Sequence, residues 1–346
     1  MLVSARADAV VREQVAADMR PCPEYLVLER DYGIELLDWS RLPGKPRRRS
    51  AAVSLLHVAW AAPRLWRYDA VFTDGEHLGL LLSMVTASVG PRRPHLMLAH
   101  HLTSKRKERL TSSLRGPRGA TRIVVHSQRQ LELIVAELGI PEHKMALVPY
   151  HADTDFWHPM PVREEALVVA AGREHRDYAT LAAALGELPV AVFIAAGRAY
   201  SPQSTTSTWP ATWPPNFSVE VADYRRLRDL YARASVVVVP LVETDFQAGI
   251  TVVLEAMAMG KAVVVTDTSG RSEAVEHGRT GLVVPNGDAA AMKTAVQGLL
   301  DRPEERARLG ANAREMVVGR YSLGEYAAAL AGHMRAVAAG AVPSTT

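Results

Sequence analysis

The sequence contains a single cysteine, no long apolar run and no regular arrangement of histidines. Cys22 alone excludes internal disulfides and multi-cysteine metal sites, and it fits a reducing cytoplasm. The apolar stretch from Gly79 to Val85 is too short to span a membrane, and charged residues stand where a signal peptide needs its apolar core. The twelve histidines include no HExxH motif. We therefore expect a cytoplasmic globular protein that uses neither a metal nor another cofactor.

The 346 residues suffice for two ordinary domains, and the net charge of +3 is unevenly distributed along the chain. Lys, Arg, Asp and Glu together give +7 for residues 1–150 and −4 for residues 151–346. Two basic clusters, Lys45–Arg49 and Lys105–Arg109, either attract anionic lipids and phosphates or are solvated surface segments. Neither cluster is interleaved with aromatic residues, so nucleic-acid binding is not expected.

Short apolar runs alternate with helical patterns through most of the chain. This alternation predicts parallel, doubly wound α/β sheets whose ligands bind beyond the carboxyl ends of the strands. Ser127 is placed to cap a helix. The segment 199–216 has no periodicity, and we interpret it as a surface excursion. Strands are predicted at 2–4, 69–73, 95–99, 122–126, 166–170, 190–195, 236–239, 262–265 and 281–284, and helices at 128–138, 178–185, 224–232, 288–300, 303–319 and 323–338.

The segment 247–265 describes a glycine-bearing turn, a helix and a buried parallel strand. The first N–H groups of such a helix have no helical partner and, together with the helix dipole, favour an anion. Glu255, about a turn and a half further on, either points at the ribose of a nucleotide or is solvated on a surface helix. The N–H groups concerned belong to Gly249, Ile250, Thr251 and Val252.

This segment resembles the signature of the family 4 retaining glycosyltransferases, in which E-x7-E is followed by A-M-A-x-G and a strand. The resemblance implies the GT-B fold, with two Rossmann-like domains facing across a cleft. It also implies metal-independent transfer of a sugar, with retention, from a UDP- or GDP-linked donor. Glu255 would bind the ribose. Gln247 stands where the family has the Glu that contacts the transferred sugar; an amide still bonds hydroxyls but brings no charge.

The loop from Gly172 to Tyr178 directly follows a predicted buried strand. In the family this loop carries an Arg and, five residues later, a Lys, both on the diphosphate. Arg173 matches the Arg, whereas Tyr178 replaces the Lys. Arg176 lies on the same turn and either takes over the phosphate contact with its guanidinium or pairs with Glu174 or Asp177 on the surface.

Two adjacent histidines, His100 and His101, end the strand predicted at 95–99. The resemblance implies that a His here faces the donor sugar, and it favours His100, with His101 as the second choice. Glu76 and His77 follow the preceding strand and either line the acceptor pocket or form an ordinary polar turn.

The segment Val148–Pro159 resembles the family's interdomain connector, V-P-N-G-V-D-x-x-x-F-x-P. The predicted domains are an acceptor-side domain at 1–160, a nucleotide-sugar domain at 161–320, and a helix and tail at 321–346 that cross back onto the first. Family members usually open with a Gly-Gly loop, whereas the residues from Met1 to Arg12 include no glycine. The first domain is therefore expected to be divergent.

The predicted function is transfer of a sugar to a small-molecule, glycan or lipid-linked acceptor, by an enzyme in the cytoplasm or on the inner face of a membrane with anionic lipids. Two alternatives remain open. The lost Glu and Lys are typical of an inactive GT-B partner protein, and a GT-B sugar-nucleotide epimerase would share the donor half. An epimerase needs an acid/base carboxylate pair, for which the sequence offers no candidates.

Overall fold

The computed structural model describes residues 1–44, 50–88, 93–103, 119–196 and 206–340. The chain forms two compact units. Unit 1 contains Met1–Ala17, Cys22–Pro149 and the residues from Gly324 on, and unit 2 contains Asp18–Pro21 and Tyr150–Leu323. The main division therefore falls before residue 161, the predicted start of the second domain. The basic clusters Lys45–Arg49 and Lys105–Arg109 lie outside the described residues.

Unit 1 is built on a parallel six-stranded sheet with the order β2-β1-β3-β4-β5-β6. Two apolar clusters pack against it, one around Leu2, Val58 and Leu78 and the other around Ile123 and Ile134. Its strands are β1 (Leu2–Val3), β2 (Leu37–Asp38), β3 (Val71–Thr73), β4 (His95–Leu98), β5 (Arg122–Val125) and β6 (Met145–Leu147). Its described helices are α1 (Ala9–Ala16), α2 (Glu24–Tyr32), α3 (Ala51–Ala61), α4 (Glu76–Ser88), α5 (Gln128–Leu138) and, at the C-terminal end, α11 (Leu323–Ala338).

Unit 2 is built on a second parallel sheet, with the order β12-β11-β10-β7-β8-β9. Its strands are β7 (Leu167–Ala171), β8 (Ala191–Ala195), β9 (Phe217–Glu220), β10 (Val236–Val239), β11 (Ala262–Thr266) and β12 (Leu282–Val284). Its described helices are α6 (Tyr178–Leu185), α7 (Tyr224–Arg233), α8 (Ile250–Ala258), α9 (Ala289–Asp301) and α10 (Pro303–Arg320).

The strand order of unit 2 fixes where a ligand can bind. From β7 the chain runs outward through β8 to β9, and it then returns to β10 on the other side of β7. The loops after β7 and β10 therefore leave the sheet in opposite directions and open a crevice at the carboxyl ends of these strands. All four valines of β10 are buried, each contributing roughly 1.5–3 kcal/mol, so the base of this crevice is firmly packed.

The predicted α/β class with two parallel sheets is confirmed. Every predicted strand and helix is present to within two residues at each end, and Ser127 caps α5 by accepting the N–H of Gln130. The sequence analysis missed three strands, β2, β6 and β9. Each is two to four residues long, and β9 is a largely exposed edge strand, so neither length nor burial marked them as strands.

Candidate active site

The crevice of unit 2 is lined by two turns that both require glycine. Gly172, directly after β7, has φ +99°, and Gly249, at the start of α8, has φ +74°. A Cβ atom at Gly172 would approach Arg176 Nη2 to 2.4 Å, and one at Gly249 would lie 2.9 Å from a Val239 methyl and 3.4 Å from Arg176 Nη1. Both the left-handed backbone and the close approach of Arg176 therefore exclude larger residues.

Arg176 is buried, and its guanidinium lies close to both glycine turns. Nε donates to the Ala171 carbonyl at 2.8 Å and Nη1 to the Glu174 carbonyl at 2.8 Å. Burial lowers the pKa of Arg176, but guanidinium keeps its charge in proteins. The surface pairing with Asp177 or Glu174 carboxylates is therefore wrong: Arg176 is a buried cation that braces the loop through backbone carbonyls.

Arg173 and Tyr178 have different surroundings in the same loop. Arg173 is half-exposed and, within the described part of the chain, its side chain makes no hydrogen bond or ion pair. Tyr178 is fully buried, and its hydroxyl donates to the Gly172 carbonyl at 2.6 Å. Burial raises the pKa of Tyr178 to about 12, so the residue in place of the family's Lys is neutral. Tyr178 supports the turn, whereas Arg173 offers the free charge.

Residues 206–208 are attached to this loop, which the interpretation of 199–216 as a surface excursion did not foresee. Ser207 Oγ accepts the N–H of Arg176 at 2.8 Å and donates to the Arg173 carbonyl at 2.5 Å. Thr208 Oγ1 donates to Asp177 at 2.5 Å. Hydroxyl groups in a segment without periodicity gave no sequence signal for these contacts. They fix the backbone that presents Arg173.

The helix α8 begins at Gly249 without a side-chain cap. The N–H of Val253 donates to the Gly249 carbonyl at 3.0 Å. Thr251, two residues earlier in the first turn, is exposed. The first turn therefore has donors that are available to an anion. Gln247, half-buried in the preceding turn, has a buried amide oxygen without a hydrogen-bond partner among the described residues. Such an orphaned acceptor is costly unless a ligand satisfies it.

Glu255 lies on α8 and is only 6% exposed. The alternative of a solvated surface Glu is therefore wrong. Tyr231 on α7 donates its hydroxyl to Glu255 Oε2 at 3.4 Å, and Tyr231 is itself packed against Trp157. Burial raises the pKa of Glu255 to about 8, with the Tyr231 hydrogen bond opposing part of that rise. The carboxyl group is thus largely protonated at neutral pH.

His175 and Phe246 connect the loops after β7 and β10. His175 adopts a left-handed backbone, φ +56°, at a cost of order 1–3 kcal/mol for a residue other than glycine. Its ring meets Phe246 edge-on at 4.9 Å, and its carbonyl accepts the N–H of Val242 at 3.2 Å. The sequence analysis missed both residues, since their pairing depends on the positions of β7 and β10 in the sheet.

Unit 1 gathers a second polar cluster at the carboxyl ends of β3 and β4. His100 is exposed; its backbone N–H donates to the buried Glu76 carboxylate at 2.9 Å, and its Nε2 donates to the Asp74 carbonyl at 3.1 Å. The His126 ring, at the end of β5, lies 5.5 Å from the His100 ring. His126 was missed because it stands alone after a strand.

The other two candidates of unit 1 lie close to this cluster in sequence. His77 and His101 are half-buried. A Cβ at Gly75 would approach the His77 ring to 2.8 Å and the His100 ring to 3.8 Å, so the predicted residues His77, Glu76 and His100 share one edge of the sheet. Within the ranges that the structure describes, no group of three or more His, Cys, Asp or Glu residues could hold a metal ion.

Residues 167–302 match the family model described as "Glycosyl transferases group 1". The matched residues all lie in unit 2. One similar relative is the alpha-D-kanosaminyltransferase of Streptomyces kanamyceticus, 40% identical over 25% of this chain and 22% of the relative. D-inositol 3-phosphate glycosyltransferase 2 of Catenulispora acidiphila is 40% identical over 28% of this chain and 22% of the relative. The matches thus span about a fifth of these curated relatives.

Solved structures are similar over nearly the whole chain. Sucrose-phosphate synthase from Thermosynechococcus elongatus has a TM-score of 0.69 at 20% identity, covering 86% of this chain and 81% of that one. Anabaena HepE in complex with UDP and glucose has a TM-score of 0.70 at 15% identity, covering 97% and 98%. The predicted GT-B fold is thereby confirmed, and the resemblance to glycosyltransferases is confirmed at the level of group 1.

Proposed function

We propose that this protein is a retaining glycosyltransferase that moves a sugar from a nucleoside diphosphate sugar to an acceptor without a metal ion. The observation that carries the proposal is the crevice at the β7 and β10 ends. There an uncapped helix start, an unpaired arginine and an orphaned amide oxygen lie on loops held by buried contacts. The names of the relatives and the UDP-bound state of the HepE structures support this reading.

The diphosphate is proposed to bind at the start of α8. The N–H groups of Gly249 and Thr251 supply donors, the N–H of Ile250 is shared with the Gln247 carbonyl at 3.4 Å, and the helix dipole adds partial positive charge. Arg173 brings a full charge that is not neutralised by another side chain. Arg176 adds a buried cation close to the same turn. Together these groups would stabilise the negative charge that collects on the departing diphosphate.

The ribose is proposed to bind Glu255, whose ionised carboxylate can accept hydroxyl hydrogen bonds on both oxygens. Since burial raises the pKa of Glu255 to about 8, ionisation is proposed to accompany binding at neutral pH. The sugar is proposed to donate a hydroxyl hydrogen bond to the Gln247 amide oxygen, which has no partner in the described chain. His100, held by Glu76 and Asp74, stays the predicted sugar contact of unit 1.

The reaction breaks the bond between the anomeric carbon and the diphosphate oxygen and forms a bond from that carbon to an acceptor oxygen, whose proton passes to the departing diphosphate. The proposed catalysis comes from positioning and from stabilisation of the leaving group. The acceptor is proposed to be a small molecule, a glycan or a lipid-linked group. The charge of +7 on residues 1–150 favours an anionic setting for unit 1.

Calorimetry and thermal shift with UDP, GDP and their sugars test the proposal. We expect one nucleotide to bind and to stabilise the protein, and its sugar to be released or transferred with retained anomeric configuration. Absence of any nucleotide binding would contradict the proposal. An epimerised sugar nucleotide would instead identify an epimerase.

An inactive partner protein is the second candidate, because Gln247 and Tyr178 remove both charges that the family signature carries. Nucleotide binding without any sugar release or transfer would support it. Gln247→Glu then tests whether the lost carboxylate is responsible. Tyr178→Lys is a poor companion variant, since it would bury an ammonium group and remove the hydrogen bond to the Gly172 carbonyl.

A further inference from the structure

An apolar surface is exposed on α3 and on the 3-10 turn Ala62–Arg67 that continues from it. Leu55 is 54% exposed, Leu56 45% and Trp66 63%. We call these three residues the α3 face. The other side of the helix is fixed in the unit, because His57 and Val58 are buried. Large apolar side chains that remain exposed on a well-anchored helix and on the turn that continues from it are typical of an interaction site.

Arginine side chains lie next to the aromatic residues of this surface. The Arg64 guanidinium stacks on the Trp60 ring at 4.2 Å and donates to the Trp60 carbonyl. Arg67 lies 5.8 Å from the Trp66 ring centre, and Arg93 donates to the Trp66 carbonyl at 2.7 Å. Cations therefore lie beside Trp60 and Trp66, and aromatic residues accompanied by cations are favoured where a protein enters lipid head groups.

The surrounding sequence has charges of one sign only. Residues 41–68 contain seven Lys or Arg residues and no Asp or Glu. Four of the cations belong to the Lys45–Arg49 cluster, which directly precedes α3 in the sequence. A partner for the α3 face must therefore tolerate apolar contact and carry negative charge along its border.

We propose that the α3 face docks unit 1 on a membrane that contains anionic lipids. Leu55, Leu56 and Trp66 enter the head-group region, where Trp is favoured, and the arginines bind lipid phosphates. Anionic lipids would provide the anionic setting that the proposed function gives to unit 1, but docking does not depend on sugar transfer. No helix in the described part of the chain is long and apolar enough to cross a bilayer.

A second copy of the chain is the main rival occupant. In a two-fold contact the same patch meets itself. Arg64 and Arg67, which lie beside Trp60 and Trp66, would then meet the same arginines of the other copy. Like charges at an interface are unfavourable, so the anionic lipid fits the surface better.

Vesicle sedimentation of the full chain, without nucleotide, tests docking. The probes are phosphatidylcholine vesicles with and without phosphatidylglycerol. We expect binding only to the acidic vesicles, weakening as salt rises. Leu55→Ser with Leu56→Ser should lower the partition coefficient about tenfold, because apolar area is lost. Val221→Ser with Val318→Ser is the matched control, since these valines are 70% and 45% exposed in unit 2, and it should bind like wild type.

Two further measurements separate the outcomes. Brominated lipid should quench the fluorescence of Trp66. Loss of that quenching in Trp66→Phe would assign the signal to Trp66 and not to one of the other five tryptophans. Equal binding to neutral and acidic vesicles, or full binding by the Leu55 and Leu56 variant, would overturn the proposal. A dimer that this variant dissociates, without vesicle binding by wild type, would assign the face to a second copy. UDP or GDP calorimetry without vesicles tests the proposed function separately.

Discussion

The crevice loops of unit 2 and the histidine cluster of unit 1 occupy equivalent edges of two parallel sheets, yet they are held differently. In unit 2, buried groups brace the loops: Arg176 through two carbonyls, and Tyr178 through the Gly172 carbonyl. In unit 1 the ring of His100 is exposed and makes one hydrogen bond, from Nε2 to the Asp74 carbonyl, while its backbone N–H donates to the Glu76 carboxylate.

The difference matters because a site built on buried supports is rigid before its ligand arrives. Pre-organised charges do not reorganise during reaction, which suits the groups that meet the departing diphosphate. An exposed ring on few supports can adapt to more than one position of a sugar. We therefore expect changes in unit 2 to affect turnover, nucleotide affinity and stability more than changes in unit 1.

The largest effect is expected for Arg173→Ala. Its charge acts as the diphosphate departs, so turnover should fall about a hundredfold, the usual loss when one transition-state donor is removed. Nucleotide affinity should change less. Arg163→Ala, at another exposed position of unit 2, is the control and should leave turnover unchanged. Wild-type turnover of Arg173→Ala in steady-state assays would remove this residue from the mechanism.

Glu255→Gln should weaken nucleotide binding next most strongly. A lost charged hydrogen bond costs roughly 1.5–3 kcal/mol, or about a ten- to hundredfold rise in Kd. Calorimetry measures it, with the exposed Glu273→Gln as control. The fold should survive, because the buried carboxyl is already largely neutral at pH 7. Unchanged affinity would refute the ribose assignment.

The pH dependence of the Glu255 site has opposite signs for stability and for binding. Its pKa is raised from 4.5 to about 8 in the fold, so its contribution to stability is complete below about 4.5 and is lost as pH rises through about 8. Nucleotide affinity should instead rise over the upper part of that range, because the ionised form binds ribose. Denaturant unfolding and calorimetry across this range test both signs, and Glu255→Gln should abolish both trends.

Gly249→Ala and Gly278→Ala form a matched pair that separates backbone strain from packing. Both glycines have left-handed backbones, φ +74° and +75°, which cost other residues about 1–2 kcal/mol. A Cβ at Gly249 would lie 2.9 Å from Val239, whereas one at Gly278 has no neighbour within 4 Å. We expect Gly249→Ala to lower the free energy of unfolding, measured with denaturant, by about 1–3 kcal/mol more than Gly278→Ala does. We also expect Gly249→Ala to weaken nucleotide binding. Equal losses would mean that the turn can widen.

The smallest effect is expected for His100→Ala in unit 1. Since the ring is exposed, the unfolding free energy should change by less than about 0.5 kcal/mol. One lost sugar hydrogen bond of about 1 kcal/mol should lower turnover roughly fivefold. The exposed His143→Ala is the control. If His100→Ala costs more turnover than Arg173→Ala, the ranking of the two regions is wrong.

Sequence reasoning succeeded where the signal is local. The predicted helix α6 over Tyr178–Leu185 and strand β10 over Val236–Val239 have the observed bounds, because side-chain periodicity reflects hydrogen bonds within or beside each element. It also placed the glycine turn before α8. It did not find the contact of Ser207 with the Arg173 loop, or of Phe246 with His175, because such pairs are distant in sequence and no periodicity records them.

The sequence alone determined the α/β alternation, the uneven charge and the glycosyltransferase signature with its two departures, Gln247 and Tyr178. The tertiary structure decided what those residues experience. It buried Glu255 beside Tyr231, used Tyr178 as a support for Gly172, and inserted Arg176 between two glycine turns. Burial and long-range contacts set the charge state and freedom of a side chain. They arise from the packing of whole layers, which no single segment specifies.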